Sequence, residues 1–168
     1  FFGIGGSKLS AEVEKFLREA EFPYAIGYGL TETSPLVAGS NASNTKYRST
    51  GLRVEGLEVE IKNPNPENGI GEIIVRGESV MKGYYNDAEI TAEVLSPDGW
   101  FSTGDLGNFD DDGYLYIQGR LKNVILGPSG ENIYPEAIES IINRSEEVLE
   151  SLVYDERGHL VARVHLDY

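Results

Sequence analysis

The segment Gly27-Tyr-Gly-Leu-Thr-Glu-Thr-Ser-Pro35 gathers an aromatic ring, three hydroxyls and a carboxylate into a single short stretch behind an apolar run. Ligands in α/β folds favour the loops beyond strand ends. Tyr28 offers a flat face suited to an adenine ring, and the Thr31 hydroxyl can donate to a phosphate oxygen. Glu32 is a hard oxygen ligand of the kind Mg²⁺ takes, and the cation would mask the repulsion between the acid and a phosphate. The same residues would serve equally as a polar surface loop. A second candidate is Asp105, inside Ser102-Thr-Gly-Asp-Leu-Gly107. Aspartate is depleted in strands and costly there without partners, yet its carboxylate can accept from both hydroxyls of a ribose. If the following hairpin turns at residues 111–112, Asp105 lies nearly opposite Gln118 and one diagonal step from Arg120, so that both charges flank one spot. A purely structural Asp–Arg pair is the commoner use of such neighbours. Gly119-Arg-Leu-Lys122 stands at a change of pattern, where a hinge or an ordinary linker would sit. Gly130-Glu-Asn-Ile-Tyr-Pro135, taken alone, is helix punctuation.

Other signals carry less. Gly3-Ile-Gly-Gly-Ser-Lys8 lacks the spacing of a phosphate-binding loop, and Gly27-Tyr-Gly29 has Glu32 where a dinucleotide fingerprint needs its third glycine. His159 and His165 fall in an expected hairpin, as surface or edge residues. The run Asp110–Asp112 lacks the alternate spacing of a calcium loop and reads as a solvated turn.

The elements that must position these residues follow from periodicity. Phe1 to Gly6 reads as a buried strand. Ser10 caps a helix carrying Val13, Phe16, Leu17 and Ala20, which Pro23 closes, and Tyr24 to Tyr28 form a second strand. From about Thr50 the alternation of Leu57, Val59, Ile61 and of Ile73, Val75 predicts a hairpin around the turn-rich 63–69 stretch. Asp87 caps a short helix to Leu95, and a second hairpin joins Trp100–Phe109 to Tyr114–Gln118. After Arg120 come a short strand over Asn123–Leu126, a helix beginning at Pro135 with Ile138, Ile141 and Ile142 on one face, and a hairpin over Leu149–Tyr154 and Leu160–Leu166. The expected class is therefore α+β. It comprises an α/β segment over 1–46, a small distorted β-barrel or sandwich over 47–119, and the first part of a small α+β domain from 120 to 168.

Composition sets the outer limits. The chain has 168 residues and a formal net charge of −14, with 40% apolar and 10% aromatic residues. That apolar content supports a core and argues against disorder. The acidic balance disfavours a nucleic-acid partner without excluding a nucleotide, which needs only a local site. No apolar run approaches the ~20 residues of a membrane-spanning helix. The absence of cysteine fits a reducing, cytoplasmic setting. A first residue Phe1, with no targeting segment, predicts a chain that starts mid-sequence.

In order along the chain, GGSKLS, GYGLTETSP, GEIIVRGESVMKGYYND, GWFSTGDLG, GYLYIQGRLKNVI and GENIYPEAIE resemble the acyl-CoA synthetases of the adenylate-forming superfamily, in wording closest to bacterial long-chain fatty acid–CoA ligases. The resemblance covers nearly the whole chain. It implies ATP, Mg²⁺ and coenzyme A as participants, with a fatty acid as substrate. A carboxylate would attack the α-phosphorus of ATP to give acyl-adenylate and pyrophosphate, and the CoA thiol would then displace AMP. By the same resemblance Gly6 and Ser7 line the pocket near adenine and the acyl group. Tyr28 stacks on adenine, Thr31 holds phosphate and Glu32 binds Mg²⁺. Asp105 and Arg120 grip the ribose, Lys122 marks the hinge, and Gly130, Glu131 and Asn132 line the CoA tunnel. Residues 1–119 would close the large AMP-binding domain and 120–168 open the lid. The family's Ser/Thr/Gly-rich phosphate loop and its late catalytic lysine have no counterpart here. The resemblance therefore implies an internal fragment, inactive alone, whose truncated α/β segment exposes apolar surface and promotes self-association. Peripheral membrane contact of the parent stays open. The competing readings are an adenylating enzyme for aryl or amino acids and a non-catalytic acidic β-rich binding module.

Overall fold

The computed structural model describes residues 2–6 and 9–167. Two compact units divide the chain, Phe1–Ile117 and Gln118–Tyr168. The expectation for Ser7 lies outside the described residues.

In the first unit β1 (Phe2–Ile4) leads to α1 (Ala11–Glu19) and β2 (Tyr24–Gly29). Ser10 caps α1 by accepting from the Val13 N–H at 3.2 Å, as its residue type predicts. The helix ends four residues before Pro23. Glu21 adopts a left-handed φ of 52°, and the Phe22 N–H returns to the Leu17 carbonyl, so the turn stops the helix before proline does. A polar knot fastens α1 to its surroundings. The Glu14 carboxylate, 1% exposed, accepts from Tyr24 Oη at 2.9 Å and from the Arg48 N–H, and Arg18 reaches Tyr24 Oη and the Thr45 carbonyl. Each of these bonds answers the cost of burying a charge.

The remaining strands of the unit are β3 (Leu36–Ser40), β4 (Gly51–Arg53), β5 (Glu58–Lys62), β6 (Gly71–Arg76), β7 (Phe101–Phe109) and β8 (Tyr114–Arg120), the last running on into the second unit. All belong to one eight-stranded sheet of order β1-β2-β3-β4-β8-β7-β6-β5. The β1–β2 pair is parallel, and β2–β3, β3–β4, β4–β8, β5–β6 and β6–β7 are antiparallel. The α+β class expected from the residue pattern is the one found, and the strands over 47–119 lie in an unclosed sheet continuous with the opening α/β segment. The link is β3, which the residue pattern does not announce: in Leu36-Val-Ala-Gly-Ser both Val37 and Ala38 are buried, so the period-two signature of a half-exposed strand is missing. The core gathers Val37, Ala38, Val59, Ile73, Val75 and Leu115, with Tyr28 and Phe109 packed on its margin. Helix α2 (Ala88–Val94) starts at Asp87, whose Oδ1 accepts from the Ile90 N–H. Phe2, Val13, Phe16 and Phe22 stand exposed on the first strand, the helix and the turn that follows the helix.

The β7–β8 hairpin turns at residues 111–112, with the Gly113 N–H on the Asp110 carbonyl. The turn is pinned rather than merely solvated. Asp110 Oδ1 accepts from the Asp112 and Tyr114 N–H groups, and Asp110 Oδ2 sits 2.6 Å from Lys46 Nζ, which also reaches Asp112. The Lys46 ammonium holds the Asp110 carboxyl down from 3.8 to about 2. A lowered folded-state value means that this stabilisation is fully present above the ordinary carboxylate range and is lost as the pH falls towards 2. Lys46→Met is expected to return the Asp110 titration midpoint towards 3.8, read from carboxylate carbon shifts; a midpoint still near 2 would assign the effect to the backbone donors instead.

In the second unit a 3-10 turn over Leu121–Asn123 precedes a two-residue pair, β9 (Ile125–Leu126) with β10 (Asn132–Ile133). The expected strand over 123–126 is therefore shorter, its first half taken up by the turn. Pro135 opens α3 (Pro135–Ile142). The helix lies against a hairpin of β11 (Val148–Glu156) and β12 (His159–Leu166), where the Glu139 carboxylate accepts from the Val153 N–H at 2.7 Å. Ile141 departs from the expected apolar face and is exposed.

Candidate functional site

The site grows from the return of β2 into β3. Gly29 ends β2 where the Pro35 carbonyl crosses it so closely that a side chain there would fall on main-chain atoms. Between them Thr31–Thr33 make one 3-10 turn, and Ser34 reverses the chain at a left-handed φ of 56°. Thr33, fully buried, locks the loop. Its Oγ1 accepts from the Leu30 N–H at 3.1 Å and lies within donor reach of the Leu30 and Pro35 carbonyls. With Thr33 turned inward, Thr31 is left exposed and Glu32 half-buried.

Beside this loop opens a cleft of about 780 Å³ whose walls include Gly3, Gly5, Gly6, Gly27, Tyr28, Thr31 and Leu36. The glycines come from the ends of β1 and β2, and their missing side chains make the room. Gly6, Tyr28 and Thr31, three of the residues the sequence singles out, thus share one cavity.

Asp105 reaches the same neighbourhood by a distortion of β7. Glu72 and Ile74 are two residues apart on β6, whereas their partners Leu106 and Ser102 are four apart on β7. The surplus is taken up at Gly104, with φ +70°. Thr103 Oγ1 donates to the Ile73 carbonyl at 2.7 Å and accepts from the Asp105 N–H at 3.0 Å, so the bulge is fixed by its own hydroxyl. The outcome is a carboxylate only 6% exposed whose Oδ2 accepts from Tyr28 Oη at 2.7 Å. The aromatic of the loop and the acid of the strand are in direct contact.

Glu32 has partners of its own: Tyr84 Oη donates to its Oε1 at 2.9 Å, and the Met81 N–H donates to its main-chain carbonyl. Burial, and then the Glu32 carboxylate, push the Tyr84 phenol up. Tyr84, Thr33 and Gly104 do structural work at this site that residue type alone does not reveal. The only signal in the sequence was the glycine inside a strand pattern, which marks a bulge. In the second unit Arg120 ends β8, Lys122 stands exposed in the 121–123 turn, and Asn123 Nδ2 donates to Glu136. Gly130, with φ +84°, and the exposed Glu131 and Asn132 form a tight loop in which the Gly127 N–H bonds the Glu131 carbonyl. No group of three or more His, Cys, Asp or Glu gathers as a metal site among the described residues, and no helix there is long and apolar enough to cross a membrane.

Residues 1–85 match the AMP-binding enzyme family. The chain belongs to that family. Among AMP-binding enzymes it is similar to the long-chain-fatty-acid–CoA ligase ACSBG1 of Rattus norvegicus, 36% identical over 93% of this chain and 22% of the ligase. It is also similar to the sulfoacetate–CoA ligase of Cupriavidus necator, 43% identical over 80% of this chain and 28% of that enzyme. The fold matches the o-succinylbenzoate CoA synthetase MenE of Bacillus subtilis in complex with AMP, with a TM-score of 0.86 and 31% identity over 99% of this chain and 36% of that one. MenE has also been solved with ATP and magnesium ion. The chain spans about a fifth of the length of the first curated relatives it matches.

Proposed function

We propose that this chain is part of an ATP-dependent, AMP-forming long-chain fatty acid–CoA ligase, and that it supplies the adenosine-binding edge of the site. The observation that carries the reading is the Tyr28–Asp105 contact at the wall of the glycine-lined cleft. Tyr28 has its ring between core and cleft, a place from which it stacks on adenine. Asp105 offers its carboxylate to the ribose hydroxyls, with Arg120 as the second ribose contact. Gly6 and Ser7 wall the pocket, and Thr31 donates to phosphate. Lys122 is the hinge about which residues 120–168 turn, and Gly130, Glu131 and Asn132 face the pantetheine arm of coenzyme A.

Glu32 would hold Mg²⁺. The fit is chemical: one half-buried carboxylate with an oxygen to spare suits a cation that takes one or two protein carboxylates and completes its shell with phosphate oxygens and water. When bound, it would neutralise phosphate charge as the substrate carboxylate approaches. The chain's own residues hold the nucleoside and fix its orientation, which is most of what such a displacement needs.

A long acyl chain suits a cleft whose lining includes Gly3, Gly5, Gly27, Ile4 and Leu36. A short anionic acid is the second reading. It is favoured by the sulfoacetate–CoA ligase similarity and by Arg53, which lines the same cleft and makes no ion pair among the described residues. The test has two parts. Titrating AMP into the 168-residue chain is expected to give saturable amide shifts at Tyr28, Thr31 and Asp105, without acyl-CoA production. Shifts confined elsewhere overturn the site; turnover overturns the inactivity of this stretch. With the complete protein, hexadecanoate is expected to outcompete sulfoacetate as the acid activated, and the reverse order selects the second reading.

A further inference from the structure

Glu32, like Asp105, is a proposed ligand-binding carboxylate held by a tyrosine from a distant part of the chain. Tyr84 Oη donates to Glu32 Oε1 at 2.9 Å, while Oε2 has no partner among the described residues. Tyr84 is itself bracketed from α2. Its N–H donates to Thr91 Oγ1 at 2.9 Å, and that hydroxyl donates to the Asp87 carbonyl at 2.6 Å. Gly83 runs so close to Thr91 that a Cβ there would lie 2.8 Å from Cγ2, which brings the Tyr84 main chain within reach of the helix. The Met81 N–H adds a bond to the Glu32 carbonyl at 2.8 Å, so the 81–84 segment grips the glutamate at both its main chain and its side chain. The adjacent Tyr85 is 94% exposed and takes no part.

We infer that Tyr84 is a positioning residue: it occupies Oε1, fixes the plane of the Glu32 carboxylate and leaves Oε2 presented to a divalent cation. The inference rests on the proposed function, which gives Glu32 that cation. A glutamate has several soft torsions, and a metal that must order them pays for it in affinity. A donor already seated on one oxygen removes that cost in advance, and outer hydrogen bonds of this kind are worth about 10- to 100-fold in metal affinity. A bond that only fastened the 77–87 segment would change stability and leave metal affinity alone.

The probe is Mn²⁺ added to the 168-residue chain in the presence of ATP, read as paramagnetic broadening of the amides of Thr31, Glu32, Thr33 and Met81. Tyr84→Phe is expected to raise the Mn²⁺ concentration at half-broadening about tenfold or more. Thr91→Val, which loosens the bracket without touching the carboxylate, should move it less in the same direction. Tyr85→Phe should not move it. In a Glu32→Gln background Tyr84→Phe should add nothing. An unchanged half-broadening concentration in both Tyr84→Phe and Thr91→Val overturns the positioning role while leaving the metal assignment standing. Wild-type amides that ATP shifts but Mn²⁺ never broadens overturn the metal assignment, and the positioning role falls with it, although nucleotide binding survives.

Discussion

Asp105→Ala is expected to lower the affinity for AMP by about a hundredfold or more while the chain stays folded. Two charge-assisted bonds to the ribose hydroxyls, at about 1.5–3 kcal/mol each, account for the loss. The substitution also removes the acceptor of Tyr28 Oη, whose ring packs against the core. Tyr28→Phe separates the two effects, because it breaks the 2.7 Å bond and keeps both the carboxylate and the aromatic face. Phenylalanine should therefore retain most of the nucleotide affinity. Calorimetry or amide-shift titration with AMP reads both variants. If Asp105→Ala binds AMP as the parent does, Asp105 belongs to the fold alone and the ribose assignment is withdrawn.

Gly29→Ala is expected to be the most damaging single-methyl change in the loop. The added carbon would overlap the Pro35 carbonyl and lie 2.9 Å from the Leu36 Cα, and these are main-chain atoms that no rotamer can move aside. Relief requires the β2–β3 register to open at its last pair, Gly29 with Leu36. The cost should reach about 3 kcal/mol, which at this chain length lowers the melting temperature by roughly 10 °C. Gly3→Ala is the matched control: it lies on the same cleft, its new carbon meets nothing within 4 Å, and it should melt close to the parent. Equal melting of the two variants would show that the loop yields where the geometry says it cannot.

Much of this architecture is legible in residue types. Ser10 and Asp87 cap the helices that their identities announce, Pro135 opens the third, and the Asn- and Pro-rich stretch at 63–69 makes a turn in which the Asn65 and Asn68 side chains accept from nearby N–H groups. These are local effects, in which a side chain satisfies its own neighbourhood. What escapes is set by distant partners. In β3 the successive residues Val37 and Ala38 both enter a core shared with Val59, Ile73, Val75 and Leu115, so its pattern carries no alternation. One continuous sheet forms because β3 and β4 tie the opening segment to the hairpins, a pairing no window of residues encodes. At the site, the loop and the strand acid are readable as chemistry. Their contact is not, since it depends on how far the bulge carries Asp105 towards Tyr28.

That bulge has a price in the ladder it interrupts. At Gly104 the N–H turns to the Glu72 side chain, at 3.3 Å, instead of to a main-chain carbonyl, so the sheet gives up regular pairing at the very place where it displays its acid. Shortening β7 to match β6 would mend the hydrogen-bond network and withdraw the carboxylate in one stroke. On the proposed ribose role of Asp105, rigidity and recognition compete for the same few peptide units, and idealising these strands would trade binding for stability.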